Sequence, residues 1–286
     1  MSSDEFTVKI LIRCPVCNHK GQLEVEKNLV KTSTRGIAAI NVAEKVICEH
    51  SFIAYIDKNL DVRDSFVCDF KIDIPQIEIS EEKLYETPQN FDLSIIKINL
   101  MPTLLASVIR AVLIAKKIAL ISEHEFLNEH YLRFLEYVFG DVFNFDITFL
   151  TRQEFKKNRK DYKNHIVWDQ GKLIKDDEKI IEQSKLKIEL AFVQQFYKEY
   201  DEISSLIMFK NEIYKIERII HEILRFHKKQ NKDEEFDTKQ VIEHLNNIYH
   251  TNIPLPYLNF LLEIIENYYA INLNRPSKMA DFFGLI

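Results

Sequence analysis

Two short cysteine-containing segments decide the fold of the N-terminal part of the chain: Cys14-Pro15-Val16-Cys17-Asn18-His19-Lys20-Gly21 and Cys48-Glu49-His50. In the first, the proline stiffens a turn whose backbone amides can point at the thiolates. The chain has four cysteines and an acidic start that does not resemble a signal peptide, so we expect metal binding and not disulfides. A structural zinc ion takes four tetrahedral nitrogen or sulfur ligands. We therefore predict a structural Zn²⁺ site at Cys14, Cys17, Cys48 and His50.

The fourth ligand of this site has two competitors, His19 and Cys68. His19 lies two residues after Cys17, where coordination would strain the turn. Cys68 is in phase with Phe66 and Phe70 on a predicted strand, which indicates a buried apolar cysteine. A pair without metal stays open as an alternative. A redox cysteine pair normally lies at the start of a helix, whereas this pair lies between predicted strands. A catalytic zinc needs one coordination position free of protein ligands and a general base nearby. Glu49 alone is weak evidence for such a base.

Residues 1–75 have the pattern of a β-rich domain. Apolar residues alternate with polar ones from Phe6 to Ile12, and Gln22–Glu26 and one or two segments within Gly36–Ile47 continue as strands. Ser51–Arg63 has the pattern of a hairpin. The two cysteine segments, Gly21 and this hairpin together resemble the zinc-ribbon heads of uncharacterised archaeal proteins. That resemblance implies a metal-clipped fold whose partners range from nucleic acid to protein.

A polar linker, 76–90, leads to a predicted α/β domain at 91–180. We expect a strand at Leu93–Leu100, a helix at Thr103–Ala115 and three further strands, with capping boxes at Ser122–Glu125 and Thr151–Glu154. The second box should open a basic helix that runs through Tyr162. The three strands are predicted at Ile118–Ile121, Phe145–Leu150 and His165–Trp168. Strands that alternate with helices predict a small parallel sheet.

Ligands bind such sheets beyond the carboxyl ends of the strands, here Ser122, Thr151 and Asp169. We favour helix capping for Ser122 and Thr151 and a turn for Asp169, so no catalytic residue is assigned. The apolar helix, the Lys116-Lys117 turn, the strand that ends at Ser122 and the long helix after it resemble the core of a DENN module. That resemblance implies a regulator or scaffold for a small GTPase.

One basic cluster follows in the same domain. It could contact phosphate, lipid headgroups or an acidic partner, although a solvated helix face is the favoured account. Its members are Lys156, Lys157, Arg159, Lys160 and Lys163.

Residues 181–286 have the pattern of a helical domain. Heptad spacing predicts two helices between Leu186 and His227 with a break in phase at Met208–Glu212, either bundled within the chain or forming a coiled-coil homodimer. A capped helix from Asp237, a helix at Tyr257–Tyr269 and a short strand at Ile271–Leu273 follow the order of a winged helix. Its polar face, with Glu263 and Glu266, is acidic and would repel DNA.

Composition reduces the number of functional classes to which the protein could belong. The 286 residues include only five glycines and no glycine-rich phosphate motif, and the net charge of −6 disfavours nucleic-acid binding. No run of 18 apolar residues predicts a membrane span, so we expect an intracellular, cytoplasmic protein. The predicted fold is an α+β multidomain chain. We expect a non-enzymatic adaptor that binds protein partners, with a small-GTPase regulator or a transcription-associated zinc-ribbon/winged-helix factor as alternatives.

Overall fold

The N-terminal part of the protein is built from two antiparallel β-sheets. The computed structural model describes residues 7–26, 37–67, 74–75, 91–182, 185–198, 201–229 and 236–273. Strands β1 (Thr7–Arg13) and β2 (Lys20–Glu26) form a two-stranded ribbon. Strands β3 (Ile37–Val42), β4 (Phe52–Asp57) and β5 (Val62–Val67) form a sheet in the order β3-β4-β5. The predicted β-rich N-terminal part is confirmed, and residues 7–26 and 37–67 are called the head below.

Strand β4 belongs to two hydrophobic cores at once. Alternate residues of a strand point to opposite faces of the sheet. Phe52, Ala54 and Ile56 therefore pack with the ribbon in a core of the head, whereas Ile53 and Tyr55 join the larger core formed by residues after 91. We call these the head core and the body core. Tyr55 of β4 packs against the body core, since the centroid of its ring lies 5.6 Å from that of Tyr197.

The middle of the chain forms a four-stranded sheet with helices around it. The elements are α1 (Leu93–Asn99), α2 (Pro102–Leu113), β6 (Lys117–Ile121), α3 (Glu125–Phe139), β7 (Ile147–Leu150), α4 (Arg152–Lys157), β8 (His165–Asp169) and β9 (Lys172–Lys175). The sheet order is β7-β6-β8-β9. β6 runs parallel to both of its neighbours, and β9 pairs antiparallel with β8. The predicted parallel sheet is confirmed.

The predicted strand at Leu93–Leu100 is wrong, because this segment is helix α1. The Asp92 carboxylate accepts the amides of Ser94 at 2.8 Å and Ile95 at 3.2 Å, which caps a helix. Leu93, Ile96 and Leu100 then fall on one buried face at helical spacing.

The predicted capping box at Ser122–Glu125 is also wrong. Helix α3 begins at Glu125 after His124, and no side chain caps it. The Ser122 hydroxyl instead accepts the His124 amide at 3.3 Å. The box at Thr151–Glu154 is confirmed, but α4 ends at Lys157 and does not reach Tyr162.

The C-terminal part is helical, with α5 (Lys187–Lys198), α6 (Glu202–Lys229), α7 (Thr238–Tyr249) and α8 (Leu255–Asn267). The first two helices are separated before Glu202, so the predicted break at Met208–Glu212 is wrong. Phe209 and Ile213 continue the buried stripe of α6 through that segment. The rings of Phe196 on α5 and Phe209 on α6 lie 4.9 Å apart, so the two helices pack on each other.

The heptad residues of α6 lie inside the chain's own core. Ile213, Ile216, Ile220 and Ile223 are buried together with α2, α3 and α8 in the body core. Ile271–Leu273 is irregular and not the predicted strand. The α+β class is confirmed, with a β-rich head, a mixed α/β middle and a helical C-terminal part.

A cluster of three charged side chains links helices α2, α5 and α8. Arg110 on α2 donates to Glu189 on α5 at 3.2 Å and to Glu263 on α8 at 2.5 Å. The sequence predicted that Glu263 lies on a free acidic face, but its carboxylate is paired with Arg110. The linker 76–90, Cys68, Asn231–Glu235 and the apolar Met279–Ile286 lie outside the described residues.

Among the described residues, no single helix has the length and apolar character needed to cross a membrane. Helices α1 and α2 meet the length and composition test only as a pair, and the chain bends by 103° between them.

Candidate metal centre

Strand β1 and the tight turn after it present the first pair of cysteines. The turn is closed by two backbone hydrogen bonds, from the Cys14 amide to the His19 carbonyl at 2.9 Å and from the Asn18 amide to the Cys14 carbonyl at 3.1 Å. Asn18 has a φ of 61°, a left-handed conformation that asparagine tolerates better than most residues. The Val16 amide lies 3.4 Å from the Cys14 sulfur, as expected for a turn built around a thiolate.

A second turn, between β3 and β4, presents Cys48 and His50. Lys45 has a φ of 68°, and its amide donates to the Cys48 carbonyl at 2.7 Å. Gly21 on β2 lies against the second turn. A Cβ atom at Gly21 would lie 2.7 Å from Cδ1 of Ile47, the residue before Cys48. Gly21 thus leaves room for the Ile47 side chain between the two turns.

The structure brings the four predicted ligand residues together. One ligand atom from each of Cys14, Cys17, Cys48 and His50 can be chosen so that all lie within 4.8 Å of one another. The Cys48 sulfur lies 3.6 Å from Nδ1 of His50. Tetrahedral zinc, with bonds of ~2.3 Å to sulfur and ~2.05 Å to nitrogen, implies sulfur–sulfur edges of ~3.8 Å and sulfur–nitrogen edges of ~3.6 Å. The cluster could therefore hold a metal ion with little movement.

Of the two alternative ligands, only His19 lies within the described residues. His19 is not a member of the cluster, although the carbonyl of His19 helps to close the first turn. Cys68 lies outside the described residues. The Cys₃His set is thus the one that the geometry of the described residues assembles.

The three thiols lie close together, and the pKa values of Cys14 and Cys48 shift in opposite directions. Burial acts to raise the pKa of Cys14, but the amides of Cys17 and Val16 outweigh it and hold the pKa below its usual value. Burial and the neighbouring thiols of Cys14 and Cys17 raise the pKa of Cys48 to about 11. Adjacent thiolates repel one another, and a divalent cation would remove that penalty. The donor set is therefore suited to a soft or borderline metal such as zinc.

The other residues singled out from the sequence form no second cluster of this kind in the described segments. Asp169 accepts two hydrogen bonds from Arg152, at 2.9 Å and 3.0 Å, so the carboxylate is held in an ion pair beside the turn. Thr151 caps α4. His130 accepts the Asp92 amide through Nδ1 at 3.1 Å. Thr151 therefore has the capping role that the sequence favoured, whereas Asp169 is the last residue of β8 and not part of the turn that follows it.

Sequence reasoning missed the buried cluster of Arg110, Glu189 and Glu263. The one available signal was a charged residue, Arg110, inside an otherwise apolar helix. Nothing local identified its partners, because Glu189 lies 79 residues away and Glu263 lies 153 residues away.

Comparisons of the chain with protein-family models, with curated proteins and with solved structures find no match. The zinc-ribbon and DENN resemblances therefore stay predictions that rest on the residues quoted for them. Function has to be inferred from the metal centre and from the surfaces and cavities around it.

Proposed function

We propose that the protein is a non-enzymatic adaptor whose head is held together by a structural Zn²⁺ ion bound to Cys14, Cys17, Cys48 and His50. The observation that carries this proposal is the closed set of four protein ligands. A tetrahedral zinc ion with four protein ligands has no position left for a substrate or an activated water molecule. The metal then stabilises the fold of the head, and the protein acts by binding other proteins.

The basic cluster in the last turn of α4 and just after it is a suitable contact surface for a partner. Lys156, Lys157, Arg159, Lys160 and Lys163 are all exposed, and none of them has a carboxylate partner within the described segments. Five cations within eight residues stand out in a chain of net charge −6. Such a patch favours a protein with an acidic surface and increases its rate of association.

The metal half of the proposal is tested by metal analysis of the purified full chain. We expect one zinc ion per chain in the wild type and less than about a tenth of that in Cys14→Ser, Cys48→Ser and His50→Ala proteins. His19→Ala is the matched control and should keep its zinc. Full zinc retention in Cys48→Ser would contradict the ligand set.

The adaptor half is tested by quantitative affinity capture from a lysate of the source cells. We expect acidic proteins to bind the wild type, to dissociate at high salt and to be lost with Lys156→Glu/Lys160→Glu. Lys228→Glu/Lys229→Glu, which reverses two exposed cations at the end of α6, is the control. The same captured proteins with all three baits would count against this surface.

A regulator of a small GTPase is the second candidate. What favours it is that α2, Lys116-Lys117, β6 and α3 follow one another in the order on which the DENN resemblance rests. Accelerated nucleotide exchange on a small GTPase of the same cell would support this second candidate. Nucleotide exchange at the intrinsic rate with every GTPase tested would remove it.

A further inference from the structure

A large cleft lies where the head meets the sheet of the body. Its volume is about 780 Å³, within the range of ~300–1,000 Å³ that small-molecule sites occupy. The ends of β6 and β8 contribute Ile121 and Trp168, α3 contributes Leu127 and Tyr131, and the head contributes Tyr55. None of these residues belongs to the candidate metal centre.

The cleft sits at the topological switch point of the sheet. The chain passes from β6 to β7 on one side and then crosses to β8 on the other. In open α/β sheets this is the point at which ligands bind, beyond the carboxyl ends of the strands. Ser122 and Gln170, which follow β6 and β8, both line the cleft.

Helix α3 directs its N-terminus toward this cleft. The helix is 15 residues long, and no side chain caps its first turn after His124. Free amides and the helix dipole at such an end attract an anion. His124, Leu127 and Tyr131 are spaced so that they share one face of α3, and all three line the cleft.

A second, independent feature is a pair of polar side chains that line the cleft without hydrogen-bond partners. Tyr131 and Trp168 are 9% and 7% exposed as whole residues. Neither the Tyr131 hydroxyl nor the Trp168 indole N–H has a hydrogen-bond partner in the segments described, and neither polar atom is fully shielded from solvent, so both are open to a ligand. Burial also raises the pKa of Tyr131 well above its usual range, so this hydroxyl stays a neutral donor. Two donors are therefore available inside the cleft.

The lining determines the class of ligand. Aromatic and aliphatic side chains dominate, among them Tyr55, Phe149 and Trp168, which suits a flat apolar body. The turn Ser122-Glu123-His124 has no glycine, unlike loops that cradle phosphates. The charged residues that line the cleft are Asp61, Glu123 and Arg63, two carboxylates against one cation, and this balance disfavours a polyanion.

We infer that this cleft binds a small organic acid with a flat, apolar body and one carboxylate. The carboxylate lies at the N-terminus of α3, and the body packs against Trp168 and Phe149. The Tyr131 hydroxyl donates a hydrogen bond to the ligand. This site shares no lining residue with the metal centre or with the basic cluster, so ligand binding by the metal-loaded chain tests it without assuming the adaptor function.

The chain's single tryptophan is Trp168, so its indole N–H gives one resonance that reports directly on the cleft. The experiment titrates the isotope-labelled, metal-loaded full chain with 2-naphthoate, with its neutral alcohol analogue and with its cationic amine analogue. We expect a saturable shift of the Trp168 resonance by 2-naphthoate and at least tenfold weaker binding of both analogues. Equal binding of all three, or no shift at millimolar naphthoate, would overturn the inference.

Variants separate the contributions of the anion site and of the hydroxyl. His124→Glu puts a negative charge at the helix N-terminus and should weaken naphthoate binding at least tenfold without changing binding of the alcohol. Asn247→Glu adds the same charge on an exposed position of α7 and should change neither. Tyr131→Phe should weaken naphthoate several-fold while the thermal midpoint stays unchanged, because no protein hydrogen bond is lost. Equal naphthoate affinity in wild type and His124→Glu would refute the assigned position of the carboxylate.

Discussion

Replacing Glu189 by glutamine is expected to stabilise the protein increasingly as pH rises from about 4 to 7, and to leave its stability unchanged only below that window. Glu189 is fully buried, and its Oε1 lies 3.2 Å from Nη1 of Arg110. Its Oε2 has no hydrogen-bond partner in the described structure. Burial raises the pKa of Glu189 to about 7, although Arg110 acts in the opposite direction. The ionised form is therefore disfavoured in the folded state.

The magnitude follows from proton linkage. The folded carboxyl keeps its proton up to a pKa of about 7, whereas an unfolded glutamate loses it near ~4.3. Between these values the folded state binds more protons, so the free energy of unfolding falls as pH rises through the window. A separation of roughly 2.7 units, at about 1.4 kcal/mol per unit, makes this loss about 3–4 kcal/mol by pH 8, of which about 1 kcal/mol has already occurred at pH 5. Glutamine has no proton to lose and can still accept from Arg110, so the loss should be absent.

Urea unfolding of wild type and Glu189→Gln at pH 5, 6, 7 and 8, followed by Trp168 fluorescence, measures this difference. We expect an advantage for the variant of about 1 kcal/mol at pH 5 that grows to about 3–4 kcal/mol at pH 8. Glu263→Gln is the comparison variant: Glu263 is 41% exposed and Glu189 stays in place, so the pH dependence should persist in a reduced form, because the Glu263 charge also raises the pKa of Glu189. Parallel pH profiles for wild type and Glu189→Gln would refute this account of the cluster.

Three further predictions concern the head. Cys48→Ser, or removal of the metal by a chelator, should unfold the head strands. The loss of strand signal in far-ultraviolet circular dichroism measures this change. Intact head strands in Cys48→Ser would contradict a structural role of the metal. Gly21→Val should cost about 1–3 kcal/mol in urea unfolding, because a Cβ atom there already lies 2.7 Å from Ile47, and an unchanged midpoint would show that the contact is not tight. Asp64→Ala should cost about 1–3 kcal/mol, because the Asp64 carboxylate accepts both the amide and the hydroxyl of Thr103 at 3.0 Å and 2.8 Å, and unchanged stability would mean that this bridge contributes little.

The metal-ligand cluster could be predicted from sequence because its determinants are local. Cys14 and Cys17 are fixed by one turn, and Cys48 and His50 by another, so only one long-range contact had to be assumed. The segment after Asp92 was less tractable. Leu93, Ile96 and Leu100 are compatible with a short buried strand as well as with a helix, and periodicity alone does not separate the two. The cap formed by Asp92 favours the helix, a signal that the apolar run obscured.

Features that depend on distant segments left almost no trace in the sequence. Arg110 meets Glu189 and Glu263 only because α2, α5 and α8 pack together, and no spacing rule links residues so far apart. The cleft is assembled in the same way, from the head, α3 and the ends of two strands. The break between α5 and α6 was misplaced for a related reason, since tertiary burial of Phe209 decides where the stripe continues.

Strand β4 connects the metal centre to the rest of the molecule. It begins two residues after His50, and its alternate residues enter the head core and the body core. Tyr55 on this strand packs against Tyr197 and also lines the cleft. A metal ion that fixes Cys48 and His50 therefore also fixes the start of the strand that supplies one wall of the cleft.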